Sequence, residues 1–247
     1  SDAAIGLDPG ANESSFSQAA QVNSGVPSFC SELYAGRLTH WGEEWPRIDT
    51  NVILKDVKWL MDHKKSFNIY VIHGGTNFGW WAGANAIDAD HYQPHVTSYD
   101  FDAPVNEMGQ ATPRYMALRE LLSAYMPSGQ ALPEVPSATP VISISEIPFV
   151  GTASLWENLP QAIVTPQPKP MEMLGQKSGF ILYRTKLTGH KKGSLRVTDL
   201  HDYATVFVDG KYIGKLDRSK AENIIELPDS QSKDPQLDIL VEGMGRV

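Results

Sequence analysis

A single cysteine, Cys30, stands in 247 residues. That excludes an internal disulfide and any metal site built on several thiolates. Long hydrophobic runs are missing as well, since no stretch approaches the roughly 20 apolar residues a membrane helix needs. Positive charge is in deficit, with 21 Lys and Arg against 29 Asp and Glu and a net charge of −8. A nucleic-acid footprint would need clustered basic residues, so neither nucleic acid nor membrane is an expected partner. The opening "SDAAIGLDPG" has no basic or apolar signal region. What is there is an ordinary globular composition, 41% hydrophobic and 20% charged, in a length that suits one large domain or two modest ones.

Two compositional halves are separated by "MPSGQALPEVPSATP", Met126 to Pro140. In the first half "VPSFCSE" (Val26 to Glu32) reads as a short strand. "NVILKDVKWLMDHKK" reads as a helix with Ile53, Val57, Leu60 and Met61 on one stripe, Asp49 or Thr50 as its cap, and His63, Lys64 and Lys65 in its last turn. "SFNIYVIHGG" is nearly continuously apolar, as a parallel strand covered on both faces should be. "TPRYMALRELLSAYM" begins with Thr112 as cap and Pro113 at the first helical position. The expectation is consecutive units of a parallel α/β fold. The second half is β-rich and turn-punctuated, and Asp209-Gly210 between apolar runs marks a hairpin. The expected domains are 1–126, a linker with a connecting strand at 127–160, and an antiparallel β-sandwich at 161–247. Two parallel strands leave edges that must be paired or covered, so the chain is expected to be a fragment of a longer protein.

"SFCSELYAGRLTHWGEEW", residues 28 to 45, sets Glu32 after a short apolar run, with Tyr34, His40, Trp41 and Trp45 following. With strict alternation Val26, Ser28 and Cys30 share the face of Glu32, Phe29 points toward a helix, and Glu32 ends the strand, where barrel enzymes place their chemistry. "SELYAGRLTHWGE", "IHGGTNFGWWAGAN" and "TSYDFDAPVNEMG" resemble, in order and spacing, the nucleophile segment, the last-strand Gly-Gly-Thr-Asn-Phe segment and the following loop of the retaining β-galactosidases of glycoside hydrolase family 35. "GFILYRTKL", "HDYATVFVDG" and "LVEGMGRV" resemble that family's β-domain. The resemblance implies an α/β plus all-β chain: the C-terminal portion of a TIM (β/α)8 barrel followed by an incomplete β-sandwich or jelly roll. It also implies a β-galactoside substrate, no cofactor, and a secreted, periplasmic or lysosomal location.

By the same resemblance Glu32 is the catalytic nucleophile of a retaining glycosidase, which pairs with a second carboxyl about 5–5.5 Å away. Tyr34 stands at the family's tyrosine and is expected to bond the carboxylate or the sugar. Tyr70 is expected either at the barrel mouth or in the core. Phe101 takes the place of a tyrosine whose hydroxyl helps hold the sugar, which puts strict galactose specificity in question. Trp80 and Trp81 either stack on sugar faces or pack in the core, and Trp81 is carried as a candidate substrate-binding residue. His40 and Trp41 are expected to pack rather than bind. Arg37 departs from an aromatic common in the family. The glycines of His73-Gly-Gly-Thr-Asn77 are expected to allow close backbone approach and to shape the loop. Asp88, Asp90, His91 and His95 lie within eight residues, but they lack zinc-type spacing and are read as a polar loop.

The family's acid/base is a Glu following Asn at the end of a barrel strand. Neither Asn12-Glu13 nor Asn106-Glu107 follows an apolar strand, so the second carboxyl is expected N-terminal to Ser1. The alternatives are the same mechanism on another β-linked sugar such as a glucosaminide, a non-catalytic sugar-binding relative, or a purely structural domain.

Overall fold

The computed structural model describes residues 2–88, 91–189 and 192–247, in two compact units. The first comprises residues 2–78 and 95–141, the second 79–88, 91–94, 142–189 and 192–247. The division therefore falls inside the stretch expected as a linker, and a segment of the first half, from Gly79 to Pro94, joins the second unit. The connecting strand expected there is absent: residues 131–154 carry no regular structure, and a 3-10 turn follows at Leu155–Glu157. Among the described residues no helix is long and apolar enough to cross a membrane.

In the first unit, β1 (Ile5–Leu7), β2 (Ser28–Tyr34) and β3 (Phe67–Tyr70) form a parallel sheet in that order. Three helices accompany it: α1 (Glu13–Val22), α2 (Thr50–Asp62) and α3 (Pro113–Ser123). The sequence reading lacked β1 and α1. Three residues are too few to show alternation, and "ESSFSQAAQV" buries only Phe16 and Ala19, too few to mark a stripe. What starts α1 is Asn12, whose side chain accepts from the Ser15 N–H at 2.9 Å, a cap worth about 1 kcal/mol. Asp49 caps α2 through the Asn51 N–H, and Thr112 caps α3 ahead of Pro113. His63 is the C-cap of α2, and Lys64 and Lys65 lie beyond it, so the expected basic last turn is not formed.

Ile53, Val57 and Leu60 of α2 pack with Phe16 of α1, Leu118 of α3, and Cys30, Leu33 and Ala35 from β2 and its extension. Phe67 and Ile69 of β3 join this core. Truncating Leu60, fully buried here, would cost about 2–5 kcal/mol. β3 is shorter than expected, and its Asn68 and Tyr70 alternate away from the core residues. The helices thus cover one face of the sheet, and the other face carries Glu32, Tyr34, Asn68 and Tyr70.

The second unit holds an antiparallel sheet in the order β6-β11-β8-β9, with β6 at Gly179–Lys186, β8 at Tyr203–Val208, β9 at Lys211–Asp217 and β11 at Gln236–Gly243. β7 (Gly193–Arg196) pairs with β10 (Ile224–Leu227). Leu227, with Leu195 and Ile225 beside it, shares one core with Ala204, Val206, Leu216, Leu237 and Val241. The β8–β9 hairpin turns at Asp209 and Gly210, both at positive φ (48° and 76°), as the Asp-Gly signal requires. A short hairpin of β4 (Ala84–Ala86) and β5 (Tyr92–Pro94) also belongs to this unit, its buried Tyr92 donating to the Gly245 carbonyl at 2.6 Å.

Candidate functional site

Glu32 sits on the middle strand of the parallel sheet, and a β-bulge decides where its side chain goes. Cys30 pairs with Phe67 and Leu33 with Ile69, so three steps along β2 match two along β3. Without the bulge, Cys30 and Leu33 would face opposite ways; with it, both enter the helix-side core. This corrects the expectation that Cys30 shares the face of Glu32. After the bulge alternation resumes: Leu33 and Ala35 turn to the core, Glu32 and Tyr34 to the uncovered face. Bulges of this kind re-aim side chains beside active sites.

On that face lies a cavity of about 340 Å³, lined by Glu32, Tyr34, Tyr70, Tyr99 and Phe101 with the backbone turn Gly36 to Leu38. Tyr34 donates its hydroxyl to Glu32 Oε2 at 2.9 Å and is also 2.6 Å from Asp8 Oδ1. The hydrogen bond to Asp8, then burial, then the bond to Glu32 push the Tyr34 phenol well above its ordinary pKa. Behind them four rings interlock. Phe101 stacks on Tyr99 at 5.5 Å and meets Tyr70 edge-on at 5.6 Å, while Tyr34 meets Tyr70 edge-on at 6.1 Å. The Tyr70 and Tyr99 hydroxyls are 3.2 Å apart. Burial, the Tyr70 bond and the charge of Glu32 raise the Tyr99 phenol.

The loop carrying Tyr99 and Phe101 is pinned from three sides. A Cβ on Gly74 would fall 1.7 Å from the Tyr99 carbonyl oxygen, so only glycine allows that approach. Arg114, 6% exposed, donates from one nitrogen to the carbonyls of Ala35 and Asp102, and from the other to the Ile48 carbonyl and the Asp102 carboxylate. Glu107 accepts from Thr76 at 2.7 Å and from Ser98. Phe101 takes φ of +63°, a rare conformation for a bulky residue, and this pinning holds it there.

Of the residues expected at the site, Glu32, Tyr34, Tyr70 and Phe101 meet in one cavity. Trp81 is not among its lining residues; it is 86% exposed in the second unit, where Trp80 packs edge-on against Phe180. His40 pairs with Glu43 at 3.1 Å and lies beside the His95 ring. Trp41, expected to pack, is exposed. Arg37 lines the cavity and bonds Glu43 at 3.1 Å. Asp88 pairs with His91 at 2.7 Å, His95 contacts His40 and Tyr99, and Asp90 lies outside the described residues. Glu13 is in the first turn of α1, bonded to Ser17. A wider groove of about 640 Å³ runs along α3 beside residues 126–132, lined by Met116, Arg119, Glu120, Ser123, Met126 and Gln130 among others.

Sequence reasoning missed Asp8, Tyr99, Asp102 and Arg114 as parts of this site. Tyr99 and Asp102 stood in a motif already singled out, and Arg114 in the first turn of a helix otherwise read for its caps. Asp8 follows a strand too short to read.

Residues 2–125 match the family model for glycosyl hydrolases family 35, and residues 168–247 match that for the first all-beta domain of beta-galactosidase. A beta-galactosidase of Xanthomonas manihotis is 35% identical over 99% of this chain and 41% of its own length. The corresponding values are 35%, 90% and 34% for beta-galactosidase 17 of Arabidopsis thaliana, and 34%, 99% and 37% for a beta-galactosidase of Canis lupus familiaris. The chain thus spans about two fifths or less of these relatives. With the family model covering β1 through α3, the cavity and every residue that pins it, this chain belongs to glycosyl hydrolases family 35.

Proposed function

We propose that this chain is the nucleophile-bearing part of a longer, retaining exo-β-galactosidase. The observation that carries the reading is Glu32 on the uncovered face of β2, its carboxylate at a cavity walled by four aromatic rings and held by the Tyr34 hydroxyl at 2.9 Å. A galactoside presents an apolar C–H face to such a wall and its C1 to the carboxylate. Glu32 attacks C1, a glycosyl-enzyme ester forms, and water releases the sugar with retained configuration. A parallel sheet normally has both faces covered, and one open face bearing the acid supports its being part of a (β/α)8 barrel. The second unit, two antiparallel sheets on one core, is read as part of a jelly-roll-like domain. Glu107 is occupied by Thr76 and Ser98 and Glu13 by α1, which favours an acid/base outside this chain.

A second reading, the same chemistry on a β-glucosaminide, is favoured by Phe101, which offers no hydroxyl where the resemblance expects one. The full-length protein, assayed on nitrophenyl β-galactoside and β-glucosaminide beside Glu32→Gln, separates these. Galactoside turnover lost more than about a thousandfold in the variant supports the first reading. Turnover retained in the variant removes Glu32 from its role. Preference for the glucosaminide moves the substrate, and turnover of neither leaves a binding protein.

A further inference from the structure

One O–H and two carboxylates meet at Tyr34. Its hydroxyl oxygen is 2.6 Å from Asp8 Oδ1 and 2.9 Å from Glu32 Oε2, yet it has one proton to donate. The nearer acceptor is Asp8, which follows the C-terminal end of β1, while Glu32 and Tyr34 lie on β2 beside it. The two strands are locked in this register by Ser31, whose hydroxyl donates to the Leu7 carbonyl at 3.0 Å. The arrangement belongs to one sheet of one unit and needs no chance loop contact.

We propose that Asp8 is a positioning residue for the nucleophile: it competes with Glu32 for the Tyr34 hydroxyl and sets how firmly Glu32 is held at each stage of the reaction. The inference rests on Glu32 as nucleophile and adds a residue that neither the sequence motifs nor the cavity lining contains. In the first half-reaction a Glu32 oxygen bonds to C1 while the bond from C1 to the departing oxygen breaks. That electron pair goes to the departing oxygen, which takes a proton from the acid outside this chain. Glu32 thereby becomes an ester and loses its charge. An uncharged ester oxygen accepts a hydrogen bond more weakly than a carboxylate, so the Tyr34 O–H turns to Asp8. In the second half-reaction water bonds to C1 and gives its proton to the same external group. The ester bond breaks, its electrons return to Glu32, and Tyr34 again has two anionic acceptors. No proton is consumed along this path; one hydrogen bond changes its partner.

Asp8 thus weakens the grip of Tyr34 on Glu32 before attack. With Asp8→Asn the amide oxygen is the poorer acceptor, Tyr34 donates more fully to Glu32, and the carboxylate becomes a worse nucleophile and a better leaving group. The two half-reactions move in opposite directions, which a merely loosened site would not produce.

The test is made on the full-length protein with 2,4-dinitrophenyl 2-deoxy-2-fluoro-β-galactoside, whose fluorine slows both steps so that the ester accumulates. Trapping rate and reactivation rate are read separately in the parent, Asp8→Asn, Asp8→Glu, Tyr34→Phe and the Asp8→Asn/Tyr34→Phe double variant. Asp8→Asn is expected to slow trapping about tenfold, the size of one charge-assisted hydrogen bond, and to speed reactivation. Asp8→Glu is expected to regain part of the trapping rate. On the Tyr34→Phe background Asp8→Asn should change either rate by less than about twofold, because its path of action is gone. Equal loss in both steps, an undiminished effect without the Tyr34 hydroxyl, or turnover of Asp8→Asn restored by azide overturns the proposal; the last would make Asp8 the acid/base itself. An adduct that never forms on Glu32 in the parent protein fails the nucleophile reading and this inference with it, whereas the other outcomes fail the Asp8 role alone.

Discussion

The carbonyl oxygen of Phe101 lies 1.9 Å from where a Cβ on Gly36 would be placed. The turn after β2 and the loop bearing Phe101 therefore meet backbone to backbone, at the edge of the cavity that holds Glu32. Neither atom is the end of a flexible side chain, so a methyl group at position 36 must move one of the two segments. Gly36→Ala is expected to cost about 1–3 kcal/mol, the range for overpacking, and to lower kcat/KM by displacing Phe101. Gly151→Ala, where the added Cβ meets nothing within 4 Å, serves as the comparison and should change neither. Urea unfolding and initial rates on the full-length protein check both.

Arg114 is the buried fastener of the same loop, with three carbonyls and the Asp102 carboxylate as acceptors. Replacing it by lysine keeps the charge but not the planar fork, and leaves buried carbonyls unpaired. Arg114→Lys is expected to destabilise by about 2–4 kcal/mol, and Arg114→Met by up to about 1 kcal/mol more, because Asp102 loses one partner but keeps Arg47 at 3.5 Å and the Ile48 N–H at 2.9 Å. Chemical denaturation midpoints read the order of the two.

Glu43 should make the loop after β2 sensitive to acid. Burial by itself would raise its carboxyl, but hydrogen bonds from the His40 side chain and backbone and from Arg37 outweigh that and bring it to about 2. The ordinary value of 4.5 applies to the unfolded chain. A depressed folded value means stability present above pH 4.5 and lost as pH falls toward 2. Glu43→Gln should therefore flatten this part of the stability profile, and it should do so less at high salt. Unfolding midpoints measured between pH 6 and pH 2 give the comparison; a variant whose acid profile parallels the parent's contradicts the assignment.

Glu107 follows an asparagine, the setting in which the resemblance expects an acid/base, but its two oxygens hold Thr76 and Ser98. Glu107→Gln is expected to reduce kcat by less than about tenfold, and azide should not raise it. A loss beyond about a hundredfold with recovery in azide, the scale of a missing general acid, would place the acid/base there.

How much of this was legible in the sequence follows from which physical signals survive in short segments. The caps at Asp49 and Thr112 and the Asp209-Gly210 turn were readable because one or two side chains decide them. The core stripe of α2 was readable because four apolar positions repeat at helical spacing. β1 and α1 were not, one being three residues long and the other largely serine, alanine and glutamine. The facing of Cys30 was misread because alternation is sound only until a bulge, and nothing in "SFCSELY" announces one. The cavity was partly readable: Glu32, Tyr34, Tyr70 and Phe101 came from motifs. Arg114 and Glu107 are joined to it by contacts between segments that sequence distance hides. That Trp81 falls in the second unit was not readable, because aromatic character says nothing of which unit a residue enters.

The most direct test of the account is where the sugar becomes attached. The full-length protein is incubated with 2,4-dinitrophenyl 2-deoxy-2-fluoro-β-galactoside, digested, and the modified peptide sequenced by mass spectrometry. One fluorogalactosyl group per protein is expected, on Glu32 in the peptide containing Ser28–Tyr34, and none in Glu32→Gln. A label on any other carboxylate, or an equal label in the variant, would contradict it.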